Sequence, residues 1–118
     1  MNDYDTFQLR GDNKGFTEHI YYKDDKPHKL QEPAWVIHYP NGGKLERWFV
    51  EGQLHRKDGP AYVCTHSDGF RVEKWFINDK LHNLTNPALV YQTCVGSTKN
   101  KIVEEWYIQG IRIDPLLY

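Results

Sequence analysis

Charge of one sign is what this sequence has least of. Its fifteen Lys and Arg stand against sixteen Asp and Glu, a formal net charge of −1 with the six His neutral, and no long block of like charge occurs. Electrostatic capture of nucleic acid or of an anionic membrane surface therefore has no support, and neither is an expected partner. Long apolar runs are missing too: nothing approaches the ~18 residues of a transmembrane helix, and the opening "MNDYDTFQLRGDNKG" is polar. The expectation is a soluble chain that is not secreted. Cysteine is sparse. Cys64 and Cys94 follow Ala61 and Ala88 by three and six residues, offsets of opposite parity that point to opposite faces of a regular sheet. Two reduced thiols in a cytoplasmic or nuclear compartment are expected. The triplet Asn83-Leu84-Thr85 matches a glycosylation acceptor, which matters only in a secreted chain. Helical periodicity is absent as well, so helix should be scarce.

What is present is aromatic and periodic. Hydrophobic residues make up 39% of the chain and aromatics 14%, with four Trp and eight Tyr, so large rings are expected to supply much of the buried area. The pairs Tyr21-Tyr22, Trp48-Phe49, Trp75-Phe76 and Trp106-Tyr107 recur at spacings of 27, 27 and 31, the last lengthened by "QTCVGSTKNK". His28, His55 and His82 each follow the first aromatic by seven residues, and Pro33, Pro60 and Pro87 by twelve, with Ala34, Ala61 and Ala88 next. Gly15, Gly42 and Gly69 each precede it by six. Five agreeing columns define an internal repeat, with units at about 7-33, 34-60, 61-87 and 88-118 in one domain.

Each unit reads as two short strands. Runs such as "AWVIHY", "LERWFV" and "AYVCT" are rich in β-branched and aromatic residues and lie between "PNGG", "HSDG" and "EGQ", turn clusters that suit positive φ. Proline, which cannot donate to a central ladder, marks a strand's first residues. The predicted fold is all-β: a single elongated, twisted antiparallel meander of consecutive hairpins. Val36, Val63 and Val90 are expected to align across repeats, as are Trp48, Trp75 and Trp106.

The pattern W-[FY]-x-x-[GD]-x-L-H-[RN] followed by [GN]-P-A resembles the MORN repeat over residues 15 to about 112, with the second unit the best match through Gly52, Leu54, His55, Arg56, Gly59, Pro60 and Ala61. The first unit departs through Tyr21, Asp25 and Pro27, and the last replaces the histidine by Ile113, departures that suit end units. Similar repeats occur in proteins of large DNA viruses, phages and bacteria. The resemblance implies a hairpin scaffold for protein contacts, in some members lipid contacts, without catalytic residues to transfer. A viral setting, as a virion component or a protein that meets host factors, is inferred from it alone.

A metal site on the histidine column fails on distance: equivalent positions two strands apart are roughly 9 to 10 Å apart, whereas two ligands of one zinc lie within about 4 Å. His28, His55 and His82 are therefore read as structural, packed near Trp and hydrogen-bonded to turn backbone. No nucleophile motif surrounds either Cys, Ser67 and Ser97 fall in turns, and Glu46, Glu73 and Glu104 read as solvated carboxylates paired with Arg47 and Lys74. No cofactor, metal or catalytic residue is expected. Interaction has more support: alternation puts Trp35, Ile37 and Tyr39 on one face and Ala34, Val36 and His38 on the other, and a one-layer sheet leaves a face without cover. Trp35, Tyr39, Tyr62 and Tyr91 are the candidate partner-binding residues, with a protein as the expected partner. Carbohydrate or lipid-surface binding on the same rings is the alternative. The terminal "PLLY" is expected to dock on its own chain or on a second copy in a homodimer.

Overall fold

The structure, a computed structural model, describes residues 3–95 and 99–115, with backbone alone for 93–95 and 99–100. The chain is an antiparallel meander of hairpins. Its strands are β1 (Thr6–Gly11), β2 (Thr17–Lys23), β3 (Lys26–Pro27), β4 (Trp35–His38), β5 (Lys44–Arg47), β6 (Phe49–Val50), β7 (Gln53–Leu54), β8 (Tyr62–Thr65), β9 (Arg71–Lys74), β10 (Phe76–Ile77), β11 (Lys80–Leu81), β12 (Leu89–Val95), β13 (Lys99–Ile108) and β14 (Ile111–Ile113). One large sheet runs β1-β2-β4-β5-β8-β9-β12-β13-β14 with β3 on β2, while β6–β7 and β10–β11 stand as separate short hairpins. Among the described residues no helix is long and apolar enough to cross a membrane.

The expected strand "LERWFV" is broken at its tryptophan. The Trp48 N–H donates to the Ala61 carbonyl at 2.7 Å and the Trp48 carbonyl accepts from the His55 N–H at 3.0 Å. One residue thus closes the large sheet and opens the short hairpin. Trp75 repeats the arrangement with Ala88 and His82, and Tyr21 with Ala34 and His28. Each short hairpin turns on two residues of positive φ, between 49° and 83°: Asp24-Asp25, Glu51-Gly52, Asn78-Asp79 and Gln109-Gly110. This is the two-residue turn whose twist matches its strands, and Asn and Asp tolerate it better than other side chains do. The turns read from "PNGG" and "HSDG" are wider, with Gly42 and Gly69 at φ 93° and 91° and the Tyr39 N–H reaching the Gly43 carbonyl at 2.9 Å.

The core is thinner and more aliphatic than the aromatic content suggests. Ile20, Val36, Ile37, Leu45 and Val63 are buried, and Ala34, Ala61 and Ala88 have no exposed surface at all, because the backbone of the switching aromatic lies against each alanine. The tryptophans stay half-buried around this centre. The valines do share one row, but Glu46 lies between Val36 and Val63, and Glu73 between Val63 and Val90. Extents of 45 × 36 × 18 Å and a radius of gyration of 16.0 Å, against roughly 13.5 Å for a compact domain of this length, describe a flattened, expanded molecule. Its two faces are what it offers to a partner.

Candidate interaction surface

The short hairpins are tied to one another by a contact that recurs three times. Between the first and second units, the Lys29 N–H donates to the Phe49 carbonyl at 3.1 Å and the Gly52 N–H to the Pro27 carbonyl at 2.9 Å, while the Glu51 N–H donates to His28 Nδ1 at 2.9 Å. The next step uses Arg56 to Phe76 and Asp79 to Leu54, with the Asn78 N–H on His55 Nδ1 at 3.2 Å. The last uses Asn83 to Tyr107 and Gly110 to Leu81, with the Gln109 N–H on His82 Nδ1 at 3.0 Å. A backbone N–H can only donate, so each ring holds its proton on Nε2. The histidine column is the side-chain member of a staple between units. Each Nδ1 lone pair that a metal or a proton-transfer step would need is engaged by turn backbone.

The face built by odd-numbered residues of β4 carries the rings. Register sets Trp35 opposite Arg47, Arg47 opposite Tyr62, Tyr62 opposite Lys74 and Lys74 opposite Leu89. The Arg47 guanidinium carbon lies 4.0 Å from the Trp35 ring centroid and Lys74 Nζ 4.7 Å from that of Tyr62, so aromatics and cations alternate along one row. At its start Glu18, 5% exposed, accepts from Trp35 Nε1 at 2.8 Å and from Arg10 Nε at 2.7 Å. Burial pushes the Glu18 carboxyl up, but the Trp35 hydrogen bond and the charges of Arg10 and Arg47 outweigh it and hold the carboxyl below its usual range.

Trp35, Tyr62 and Tyr91 lie on this face, all half-buried, and Tyr39, 38% exposed, stands at its rim beyond β4. Sequence alternation found the face but missed the cations on the rings, whose placement depends on register between strands. It also mispaired the carboxylates. Arg47 and Lys74 lie on the opposite face from Glu46 and Glu73, which pair along their own strands with Lys44 at 3.5 Å and Arg71 at 2.7 Å. The small-residue columns are placed at junctions: Gly42 and Gly69 in the wide turns, and Pro33, Pro60 and Pro87 immediately before the buried alanines.

Cys64 Sγ lies 3.5 Å from His66 Nε2, a proximity not read from the sequence. Burial pushes the Cys64 thiol up, with Lys74 opposing weakly, which disfavours the thiolate a nucleophile needs. The Cys94 side chain, Ser97 and the segment Leu116 to Tyr118 lie outside the described residues. No family model, curated protein or solved structure matches the chain.

Proposed function

We propose that the chain is a non-enzymatic, MORN-like repeat scaffold whose ring-bearing face contacts another protein, in a cytoplasmic or nuclear and, by the likeness of its repeats, viral setting. The observation that carries this reading is the row Trp35, Arg47, Tyr62, Lys74 along one face of the large sheet. Half-buried Trp, Tyr and Arg side by side are the residues that dominate protein interfaces. A carbohydrate or lipid platform on the same rings is the second reading. It needs open ring faces, and Arg47 and Lys74 already stand over Trp35 and Tyr62, which favours the protein partner.

Affinity capture with Tyr62→Glu and Lys74→Glu variants tests the proposal. Loss of a captured protein with unchanged thermal unfolding supports it. Retention of the same protein by both variants moves the contact off this face, and capture of glycans or liposomes instead supports the second reading. A homodimer on this face would appear as concentration-dependent sedimentation that either variant abolishes.

A further inference from the structure

The first strand ends the large sheet and is open along its outer edge. β1 pairs with β2 over Thr6–Gly11, and among the described residues no strand lies beyond it. The Asp12 N–H donates to the Phe16 carbonyl at 3.0 Å, and in an antiparallel ladder the residues that bond a given neighbour alternate. Thr6, Gln8 and Arg10 therefore bond β2, while the N–H and carbonyl groups of Phe7, Leu9 and Gly11 point outward. Proteins blunt such an edge with shortness, lysine, proline or a bulge. The far edge is blunted in this way: β14 has three residues and is followed by Pro115. β1 has six, neither Lys nor Pro among them, and pairs with β2 in unbroken register. Its one charge is engaged within the chain, since Arg10 Nε donates to Glu18 at 2.7 Å.

The apolar side chains of β1 are open as well. Phe7 is 46% and Leu9 67% exposed, although Phe7 lies against Tyr21 with ring centroids 5.0 Å apart. Trp48, by contrast, is covered by a side chain of its own unit, the Arg56 guanidinium carbon lying 3.8 Å from its ring centroid. An open edge takes up a further strand, and the sequence of β1 favours its own copy. In a two-fold antiparallel pair, outward-bonding residues must meet outward-bonding residues, so the axis passes through a residue and not between two. An axis at Phe7 sets Leu9 against the carboxylate of Asp5, and an axis at Leu9 sets Phe7 against Gly11. An axis at Gln8 sets Phe7 opposite Leu9 in both directions, Arg10 opposite Thr6 and Gln8 opposite itself. That register alone covers both apolar side chains with one another, and it brings no like charges together.

We propose that β1 pairs antiparallel with β1 of a second copy about a two-fold axis at Gln8, joining the two large sheets edge to edge. The contact is separate from the ring-bearing face and does not rest on the reading given for it. One strand pair buries less than a standard interface, so the dimer is weak, with a Kd on the order of 0.1 mM.

Sedimentation equilibrium of the full chain between about 10 µM and about 1 mM tests it. The parent chain is expected to pass from monomer to dimer over that range. Leu9→Lys, a charge at an exposed position, should weaken association by about tenfold or more with unchanged thermal unfolding. Exchanging the two residues, Phe7→Leu with Leu9→Phe, keeps the cross-strand pair and should keep the dimer. Register is read by cross-linking in a Cys64→Ser, Cys94→Ser background. Gln8 faces itself in a non-hydrogen-bonded pair, where Cα atoms lie about 4.5 Å apart and a disulfide fits. Gln8→Cys should therefore give an oxidised dimer on a non-reducing gel, and Leu9→Cys little. A chain that stays monomeric to about 1 mM, or a cross-link at Leu9→Cys that matches the one at Gln8→Cys, overturns the proposal. Association abolished by Tyr62→Glu but not by Leu9→Lys also overturns it and assigns the dimer to the ring-bearing face. Capture of a different protein that Leu9→Lys removes, with the chain itself monomeric, does the same and gives the edge to a foreign strand.

Discussion

Truncating the three staple histidines should cost unequal amounts, ordered by burial. His28 is 5% exposed and its hydrogen bond from the Glu51 N–H is partly shielded. His28→Ala orphans that donor and leaves a gap where the ring packed, a combined loss of about 2 to 4 kcal/mol. His55 and His82 are half-exposed, and their bonds from Asn78 and Gln109 lie at the surface. Water replaces the lost acceptor there, so His55→Ala and His82→Ala should each cost about 1 kcal/mol. For a chain of this length 1 kcal/mol is about 4 °C in Tm. Thermal and urea unfolding by circular dichroism should therefore show a fall of roughly 8 to 16 °C for His28→Ala and about 4 °C for the others. His28→Asn keeps an acceptor and should recover part of the loss, whereas His28→Phe keeps a ring without one and should not. Equal losses at all three positions, or a His28→Phe variant as stable as the parent, would refute the staple argument.

Glu18→Ala leaves the Trp35 indole N–H without its acceptor in a buried place and should cost about 2 to 3 kcal/mol in urea unfolding; a loss under about 0.5 kcal/mol would mean that the pair is not formed in solution. Glu18 and Asp3 are both held below the usual carboxylate range, in each case against the raising effect of burial: Glu18 by Trp35 and Arg10, Asp3 by Lys29 and the Leu30 N–H. A depressed folded pKa gives stability that is present above the unfolded value and lost as pH falls through the folded one, so Tm should drop below about pH 4, and Glu18→Gln should flatten that drop. A Cβ at Gly59 would stand 2.5 Å from the Arg56 guanidinium carbon. Gly59→Ala should push Arg56 off Trp48 at a cost of about 1 kcal/mol, and in an Arg56→Met background most of that cost should vanish; full additivity in the double-mutant cycle would show that Arg56 does not rest on the ring.

The repeat, the hairpin meander and the ring-bearing face were legible because each depends on spacing along the chain. A glycine six residues before an aromatic and a proline twelve after it are local signals, and alternation along "AWVIHY" assigns faces without knowledge of any neighbour. Register was not legible. Whether Arg47 meets Trp35 depends on which residue of β4 lies opposite it, and shifting a strand by one residue exchanges its faces; that Glu46 points away from Arg47 follows from alternation alone. The sheet switch at Trp48 was hidden for a related reason: "LERWFV" has the composition of one strand, and only the separate partners of its N–H and carbonyl, Ala61 and His55, show that it serves two sheets. The turns of the short hairpins were half legible. Glu51-Gly52 carries a glycine, but Asp24-Asp25 and Asn78-Asp79 reach positive φ without one.

Repetition itself explains why a stable slab can also carry a specific contact. Each unit buries its alanine and fastens the junction to the next with three hydrogen bonds, so stability accumulates unit by unit from near-neighbour terms. Columns that make those junctions cannot vary without loss, as the three fully buried alanines show. The column eight residues after the aromatic makes no junction through its side chain: Lys29 pairs with Asp3, Arg56 with Asp58, and Asn83 with its own turn. Its identity is therefore open to change without dismantling the sheet. From the first unit to the last this column runs Lys29, Arg56, Asn83 and Asp114, while the Gln109 N–H still donates to His82 Nδ1. A repeat protein of this kind can keep its staple columns constant for the fold and use its side-chain-facing columns to decide what each unit binds.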